Sequence, residues 1–130
     1  MGMDLGIIAS RSIGELKEET WPDFYEWDEI KENEKMYDEY GTFVFPERPV
    51  QMWYARKFYS LLDGVPELKK SYTDYIIRIN KETLKHMINY YAFNPDYFDG
   101  FNGLPRLCEL YQMYDELQAQ GINLYFYNSY

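Results

Sequence analysis

The chain has 130 residues, of which 46% are apolar and 20% aromatic, and its net charge at pH 7 is −9. This length corresponds to a single domain, and this apolar content supports a packed core and excludes a disordered chain. The negative charge disfavours binding to nucleic-acid phosphates or anionic membranes and favours basic partners. The single cysteine excludes an internal disulfide and is typical of a reducing compartment, so a cytoplasmic location is expected.

The first half of the chain predicts two strands and two helical segments. The apolar run at residues 3–10 predicts a buried strand, and the run at residues 42–45 predicts a second, short strand. Between them, apolar residues recur in steps of three and four from Asp23, which predicts a helix with one aromatic and one acidic face. A loop with short helical turns fits nearly as well, so both interpretations stay open. Apolar residues at helical spacing in residues 50–62 predict an amphipathic helix, ended by Gly64 in the left-handed conformation.

The second half of the chain predicts two further strands and two further helices. Residues 72–79 are rich in β-branched and aromatic side chains and predict a strand, and Asn80 is placed to cap a helix over residues 81–91. Another helix is predicted over residues 104–120, and residues 122–127 predict a final aromatic strand. This order predicts an α+β fold in one domain, with a small sheet of about three to four strands and about three helices packed on it.

Most of the negative charge is concentrated in residues 15–40, which we call the acidic segment. It holds eleven acidic residues against three lysines, a net charge of −8, and aromatic residues are interleaved with the acids. Carboxylates spaced along a surface can imitate phosphates, and aromatic side chains can supply the buried anchors that charges lack. The acidic segment therefore predicts a surface that binds a basic protein. A solvated face that only keeps the chain soluble explains the charge equally well.

The predicted contact residues all lie in the acidic segment and combine acids with aromatics. The acids would pair with lysine and arginine of the partner, and the aromatics would anchor the contact. They are Trp21, Asp23, Phe24, Tyr25, Glu26, Trp27, Asp28, Glu29, Glu32, Glu34, Tyr37, Asp38 and Glu39.

Signatures of catalysis and of metal binding are missing from the sequence. One histidine and one cysteine are too few for a zinc site, and the acids lack the spacing of a calcium loop. His86 lies off the apolar face of its helix, which predicts a solvated side chain, and Cys108 is predicted to be a small core or boundary residue. Nucleophilic catalysis would need these two residues to meet beside a third, orienting group. We therefore predict a binding protein that is not an enzyme and needs no cofactor or metal.

Three short pieces of the chain share features with one group of proteins. They are residues 1–5 (MGMDL), residues 53–57 (WYARK) and residues 125–130 (YFYNSY). The chain resembles small phage and prophage proteins that begin Met-Gly-Leu-Asp-Met, open a helix with an aromatic-Arg-Lys segment and end in an aromatic strand. Ala55 interrupts the second motif, and the acidic segment is the part least similar to the group. The resemblance implies a phage or prophage origin and carries over no site residues.

Small acidic phage proteins without enzymatic motifs are often inhibitors of host proteins, and some imitate the charge of DNA. Together with the charge segregation, the resemblance predicts a phage-encoded inhibitor of the anti-CRISPR or anti-restriction kind. Its partner would be a basic, nucleic-acid-binding defence protein in the cytoplasm of the host bacterial cell. The chain itself would bind neither nucleic acid nor membrane.

Two other functions remain open. In the first, the chain sequesters a small anionic ligand, such as a signalling nucleotide, in a pocket with stacked tyrosines. That pocket would use Arg48, Arg56, Arg78 and Arg106, often at an oligomer interface. In the second, which the tyrosine content favours, the chain is a structural phage protein. An inhibitor predicts salt-sensitive association with a basic protein, whereas a ligand sponge predicts a tightly held small molecule.

Overall fold

The computed structural model describes residues 4–11, 25–27, 38–41, 44–45, 49–56, 58, 60–94 and 103–129. Within these residues, the strands all belong to one sheet with the order β2-β3-β1-β5-β4. The strands are β1 (Asp4–Ser10), β2 (Tyr25–Glu26), β3 (Val50–Arg56), β4 (Ile76–Ile79) and β5 (Asn123–Ser129).

The strand β1 lies at the centre of the sheet and pairs antiparallel with β3 on one side and β5 on the other. β4 continues the antiparallel pairing beyond β5, and the two-residue β2 runs parallel to β3 at the opposite edge. Two strands from opposite ends of the chain are therefore neighbours. The predicted α+β fold with a small sheet is confirmed.

The helices that the structure describes all follow β3 in the chain. They are α1 (Ser60–Gly64), a 3₁₀ helix (Pro66–Lys70), α2 (Ser71–Asp74), α3 (Lys81–Phe93) and α4 (Gly103–Ala119). The two long helices confirm the predictions for residues 81–91 and 104–120. The Asn80 side chain caps α3 as predicted, because its Oδ1 accepts a hydrogen bond from the Thr83 backbone N–H at 2.9 Å. Gly121, just past the end of α4, has a φ of 78°, the left-handed conformation that favours glycine.

The core lies between one face of the sheet, which we call the core face, and the helices. The core face contributes aliphatic residues and two large aromatic rings, and the helices contribute leucines, a methionine and Tyr91. Trp53 is 1% exposed, and its indole N–H donates to the Gly103 backbone oxygen at 3.1 Å, so its polar atom is satisfied inside the core. The core face consists of Leu5, Ile7, Ala9, Val50, Trp53, Ala55, Ile77, Ile79, Leu124 and Phe126.

The predicted helix over residues 50–62 is wrong, because its first part is the strand β3. The register between β1 and β3 shifts between Ile7 and Ile8, so that Met52 has no partner of its own on β1. This β-bulge puts Val50 and Trp53, three residues apart, on the same face of the sheet. The three-residue spacing of Val50 and Trp53 therefore resembles the periodicity of a helix although both residues lie in a strand.

Other predicted elements begin later or take another form. Tyr25 and Glu26 form β2, so a helix that begins at Asp23 is wrong for these two residues. Val44 and Phe45, the described part of the predicted strand at 42–45, are not in a strand. The strand predicted from residue 72 begins only at Ile76, because residues 71–74 form α2.

Gly64 ends α1, but it is not left-handed as predicted. Its role is steric, because a Cβ at this position would overlap the ring of Tyr90 on α3. Glycine here lets α1 approach α3 closely.

Candidate functional site

The acidic segment is attached to the domain at residues 25–27. Tyr25 and Glu26 pair with β3, and Trp27 is 5% exposed and belongs to the core. The Trp27 indole N–H donates to Glu109 Oε1 on α4 at 3.0 Å, which is a charge-assisted hydrogen bond. Trp27 was predicted to contact a partner, but this structure places its ring inside the molecule. Its position makes it the anchor of the acidic segment.

The end of the acidic segment forms an exposed turn at residues 38–41. The Asp38 side chain accepts a hydrogen bond from the Tyr40 N–H at 2.9 Å, and the Asp38 carbonyl accepts one from the Gly41 N–H at 3.1 Å. Gly41, the last residue of the turn, has a φ of 79°, a left-handed conformation that glycine adopts without a steric penalty. Asp38, Glu39 and Tyr40 are all exposed, and the Tyr40 side chain reaches 84%. Phe45, four residues beyond the turn, is buried in the core.

The remaining predicted contact residues lie outside the described residues or are described only by their backbone. Tyr25 and Glu26 belong to the second class. The first class contains Trp21, Asp23, Phe24, Asp28, Glu29, Glu32, Glu34 and Tyr37.

The face of the sheet opposite the core face carries polar and aromatic residues, and we call it the tyrosine face. Alternation along the strands and the strand register place its members in rows across the sheet. One row runs from Tyr54 through Gly6 to Tyr127 and Ile76, and the next from Gln51 through Ile8 to Tyr125 and Arg78. The face also includes Asp4, Ser10, Arg56 and Asn123.

Hydrogen bonds across strands satisfy two of the tyrosine hydroxyls of this face. The Tyr127 ring lies over Gly6, where a Cβ would overlap it, and the Gln51 Nε2 donates to the Tyr127 hydroxyl at 2.6 Å. The Tyr54 hydroxyl donates to Asp4 Oδ1 at 3.0 Å. Burial, and then the hydrogen bond and charge of Asp4, raise the pKa of Tyr54 above its usual value of 10.0. Tyr54 therefore stays protonated at physiological pH.

The arginines proposed for an anion pocket do not converge. Arg56 and Arg78 are both exposed on the tyrosine face, but β1 and β5 lie between their strands. Three strand spacings separate them by about 14 Å across the sheet, and the register offsets them by four residues, about 13 Å, along the strands, so their backbones lie roughly 19 Å apart. Arg106 lies on α4 in the helix layer, and Arg48 lies outside the described residues.

His86 forms a small charged cluster on the surface of α3. Its Nδ1 lies 2.6 Å from Glu67 Oε2 on the 3₁₀ helix, and its Nε2 lies 3.2 Å from Glu82 Oε1. The hydrogen bond to Glu67, together with the charges of both carboxylates, raises the pKa of His86 above 6.5. The prediction of a merely solvated side chain missed these partners, although the four-residue spacing of Glu82 and His86 could have revealed one of them.

Cys108 and the carboxylates at His86 are candidate reactive or metal-binding groups. Cys108 is half-buried on α4, and the two carboxylates at His86 approach opposite ring nitrogens, so they cannot share one ion with the imidazole. No group of histidine, cysteine and acidic residues in the described part of the chain could hold a metal ion. Among the helices the structure describes, none has the length and apolarity needed to cross a membrane. Comparisons of the chain with protein families, curated proteins and solved structures find no match in any of the three.

Proposed function

We propose that this chain acts by binding, and that its acidic segment covers a basic, nucleic-acid-binding surface of another protein. The observation that carries the proposal is the exposed turn at residues 38–41. It presents the acids Asp38 and Glu39 beside Tyr40, whose side chain is 84% exposed. An acid pair next to a solvent-facing aromatic ring combines the two residue types that the sequence predicts for this surface.

Attachment of the acidic segment to the core supports the same proposal. Trp27 and Phe45, which lie on either side of the turn in sequence, are both buried in the core. The stretch between Trp27 and Phe45, which contains the turn, is fixed at both ends and loses less conformational entropy on binding than a free tail. The −8 charge of the acidic segment would steer it to a basic surface and make the association fast and salt-sensitive.

The resemblance to small phage proteins extends the proposal to the identity of the partner. On this reading the partner is a host defence protein, such as a CRISPR or restriction effector. The chain would inhibit it inside the host cell by occupying the site where that protein binds nucleic acid.

The first test is recovery of partners from a host lysate on the tagged protein at low and at high salt, read out by mass spectrometry. The proposal expects a nucleic-acid-binding protein that is retained at low salt and reduced at high salt. Recovery of no such protein, or of one that is insensitive to salt, would contradict it.

A pair of charge-reversed variants locates the contact. In D38K/E39K both substitutions lie in the exposed turn, and in D63K/E116K both lie on exposed parts of helices. The two variants change the net charge by the same amount. We expect D38K/E39K to weaken partner binding by about tenfold or more, because it replaces attraction by repulsion at the contact. Equal loss in both variants would mean that only the total charge matters.

A second candidate function is sequestration of an anionic ligand on the tyrosine face. The observation that favours it is the presence of Arg56 and Arg78 on one face with Tyr54 and Tyr125. Their separation requires an elongated ligand with more than one anionic group. Heating the purified protein and analysing the supernatant by mass spectrometry tests this function. It expects a released nucleotide from the wild type and none from R56A/R78A.

A further inference from the structure

The strand β4 has an outer edge with which no described residue pairs. The Asn128 N–H donates to the Tyr75 carbonyl at 2.8 Å, so residue 75 directs its carbonyl towards β5. In an antiparallel ladder this direction alternates along the strand, so Ile77 and Ile79 also face β5. Ile76 and Arg78 therefore direct their backbone N–H and C=O groups outward. Such an edge can template the addition of another strand.

The residue that opens this edge has a strained backbone and an exposed aromatic ring. Tyr75 has a φ of 62°, the only positive φ of a non-glycine among the described residues, and its side chain is 55% exposed. Its N–H donates to the Ser71 carbonyl at 3.0 Å, which together with the bond from Asn128 holds the residue in place. Strained residues of this kind cluster at functional sites. Tyr72, on the preceding helix α2, is 44% exposed.

We propose that this edge is a self-association surface, on which a second copy of the chain adds its own β4 antiparallel to the first. A two-fold axis through Ile77 places Ile76 of one copy opposite Arg78 of the other. Both of these residues direct their backbone groups outward, so each pair exchanges two hydrogen bonds. The two sheets would then join into one continuous sheet.

The side chains favour this register over its neighbours. It sets the uncharged Ile76 opposite the second copy's Arg78, so that no like charges meet across the pair. An axis through Arg78 would instead place the two Arg78 side chains directly opposite each other, and like charges in that position are destabilising. An axis through Ile76 would bring Arg78 opposite Asp74, which is in helix α2 and offers no strand.

The response to salt separates this association from the proposed function. Each copy carries a charge of −9, so added salt screens the repulsion between copies and should strengthen the dimer. Added salt should weaken the binding of the acidic segment to a basic protein. Either interaction can therefore be absent while the other is present, because the two use different surfaces and respond to added salt in opposite directions.

The test is light scattering after size exclusion, at protein concentrations from about 10 to about 500 µM, a range that suits a small interface. We expect a mass that rises from 15.8 kDa towards twice that value as concentration and salt increase. A mass that stays at 15.8 kDa throughout overturns the proposal, whichever other partner the edge accepts.

Two variants at one position identify the surface. R78P removes the outward N–H without touching the pairing to β5, because proline is tolerated where the N–H of an edge strand faces away from the sheet. R78A keeps that N–H and removes only the charge. We expect R78P to raise the dissociation constant at least about tenfold and R78A to leave it nearly unchanged. A dimer that persists in R78P overturns the proposal.

Amide hydrogen exchange tests the proposed dimer in the wild-type protein, without any substitution. The amides of Ile76 and Arg78 should exchange more slowly as the wild-type concentration rises, because only the dimer protects them. The amides of Ile77 and Ile79, which face β5 in both states, should not respond. Equal behaviour of the two sets would contradict the register.

Discussion

The two faces of the sheet are both buried near the centre, but different interactions stabilise them. On the core face, Ile7 and Phe126 are fully buried and belong to the hydrophobic core that the helices complete. On the tyrosine face, Ile8 is fully buried and Tyr125 and Tyr127 are each 5% exposed, yet the rings carry hydroxyls and share the face with Gln51. The core face depends on transfer of apolar surface from water, whereas the tyrosine face also depends on hydrogen-bond geometry.

The core face and the tyrosine face therefore differ in the substitutions that they tolerate. A core face filled by aliphatic side chains tolerates exchanges of similar volume, because packing is its main requirement. The tyrosine face needs a glycine at one place, Gly6, so that the Tyr127 ring can lie flat across β1 and reach Gln51 on β3. Substitutions at Trp53, Gly6 and Tyr127 separate these two kinds of stability, and pH acting on His86 gives a comparison outside the sheet.

Trp53→Ala should have the largest effect, because it empties the centre of the core face. Trp53 is 1% exposed, and the substitution removes its apolar surface and its hydrogen bond to Gly103 and leaves a cavity. We expect the free energy of unfolding to fall by about 3–5 kcal/mol, measured by chemical denaturation. Trp53→Phe, which keeps a ring, should cost clearly less. Equal losses in the two variants would show that the hydrogen bond, and not the volume, decides.

Gly6→Ala should have the next largest effect and acts on the tyrosine face. Its methyl group would overlap the Tyr127 ring, so the ring must move or β1 must shift. We expect a loss of about 1–3 kcal/mol in the free energy of unfolding, the usual cost of overpacking. In a Tyr127→Ala background the same substitution should cost much less, which a double-mutant cycle measures. A cost that is unchanged in that background would refute the ring contact as the cause.

Tyr127→Phe tests the polar part of the tyrosine face alone. It keeps the ring over Gly6 and removes the hydroxyl that accepts from Gln51 at 2.6 Å. We expect a loss of about 1 kcal/mol in the free energy of unfolding. Tyr125→Phe, on the same strand and face, is the matched control. Among the described residues, its hydroxyl accepts a single long bond of 3.5 Å from Asn123, so its removal should cost close to nothing.

The smallest effect is expected outside the sheet, from pH acting on His86. The pKa of His86 is raised in the folded chain above the unfolded value of 6.5, so folding favours the protonated form. The resulting stability is fully present below about pH 6.5 and is lost as the pH rises through the higher folded pKa. The melting temperature of the wild type minus that of His86→Gln should therefore fall over this window. A difference that stays flat with pH would contradict the ion pairs to Glu67 and Glu82.

Local signals made much of the second half predictable. The cap of α3 at Asn80 and the stop at Gly121 act within one turn of the chain, so sequence reasoning found both helices. The acidic segment was also visible as a concentration of charge. Trp27 was not recognisable as a core residue, because its hydrogen bond to Glu109 joins positions 82 residues apart. Only the fold brings such pairs together.

Dependence on distant residues also explains why β3 was predicted to be a helix. In β3 the spacing of Val50 and Trp53 depends on the bulge opposite β1, and a bulge is a property of two paired strands. The need for glycine at position 6 depends likewise on where Tyr127 of the last strand lies. The residues next to these positions in the sequence therefore predict neither the bulge nor the need for glycine.

Sequence patterns alone were sufficient to predict the α+β class, the two long helices and the separation of an acidic segment from a nearly neutral remainder. These properties follow from local propensity, capping and the sum of charges, which need no knowledge of distant residues. The tertiary structure decided which aromatic rings are anchors and which are exposed, so that Trp27 is inside and Tyr40 is outside. It also decided that β4 is an edge strand among the described strands, with outward-facing backbone groups. Both outcomes depend on pairing between segments far apart in the chain, and such pairing is specified only when the whole core assembles.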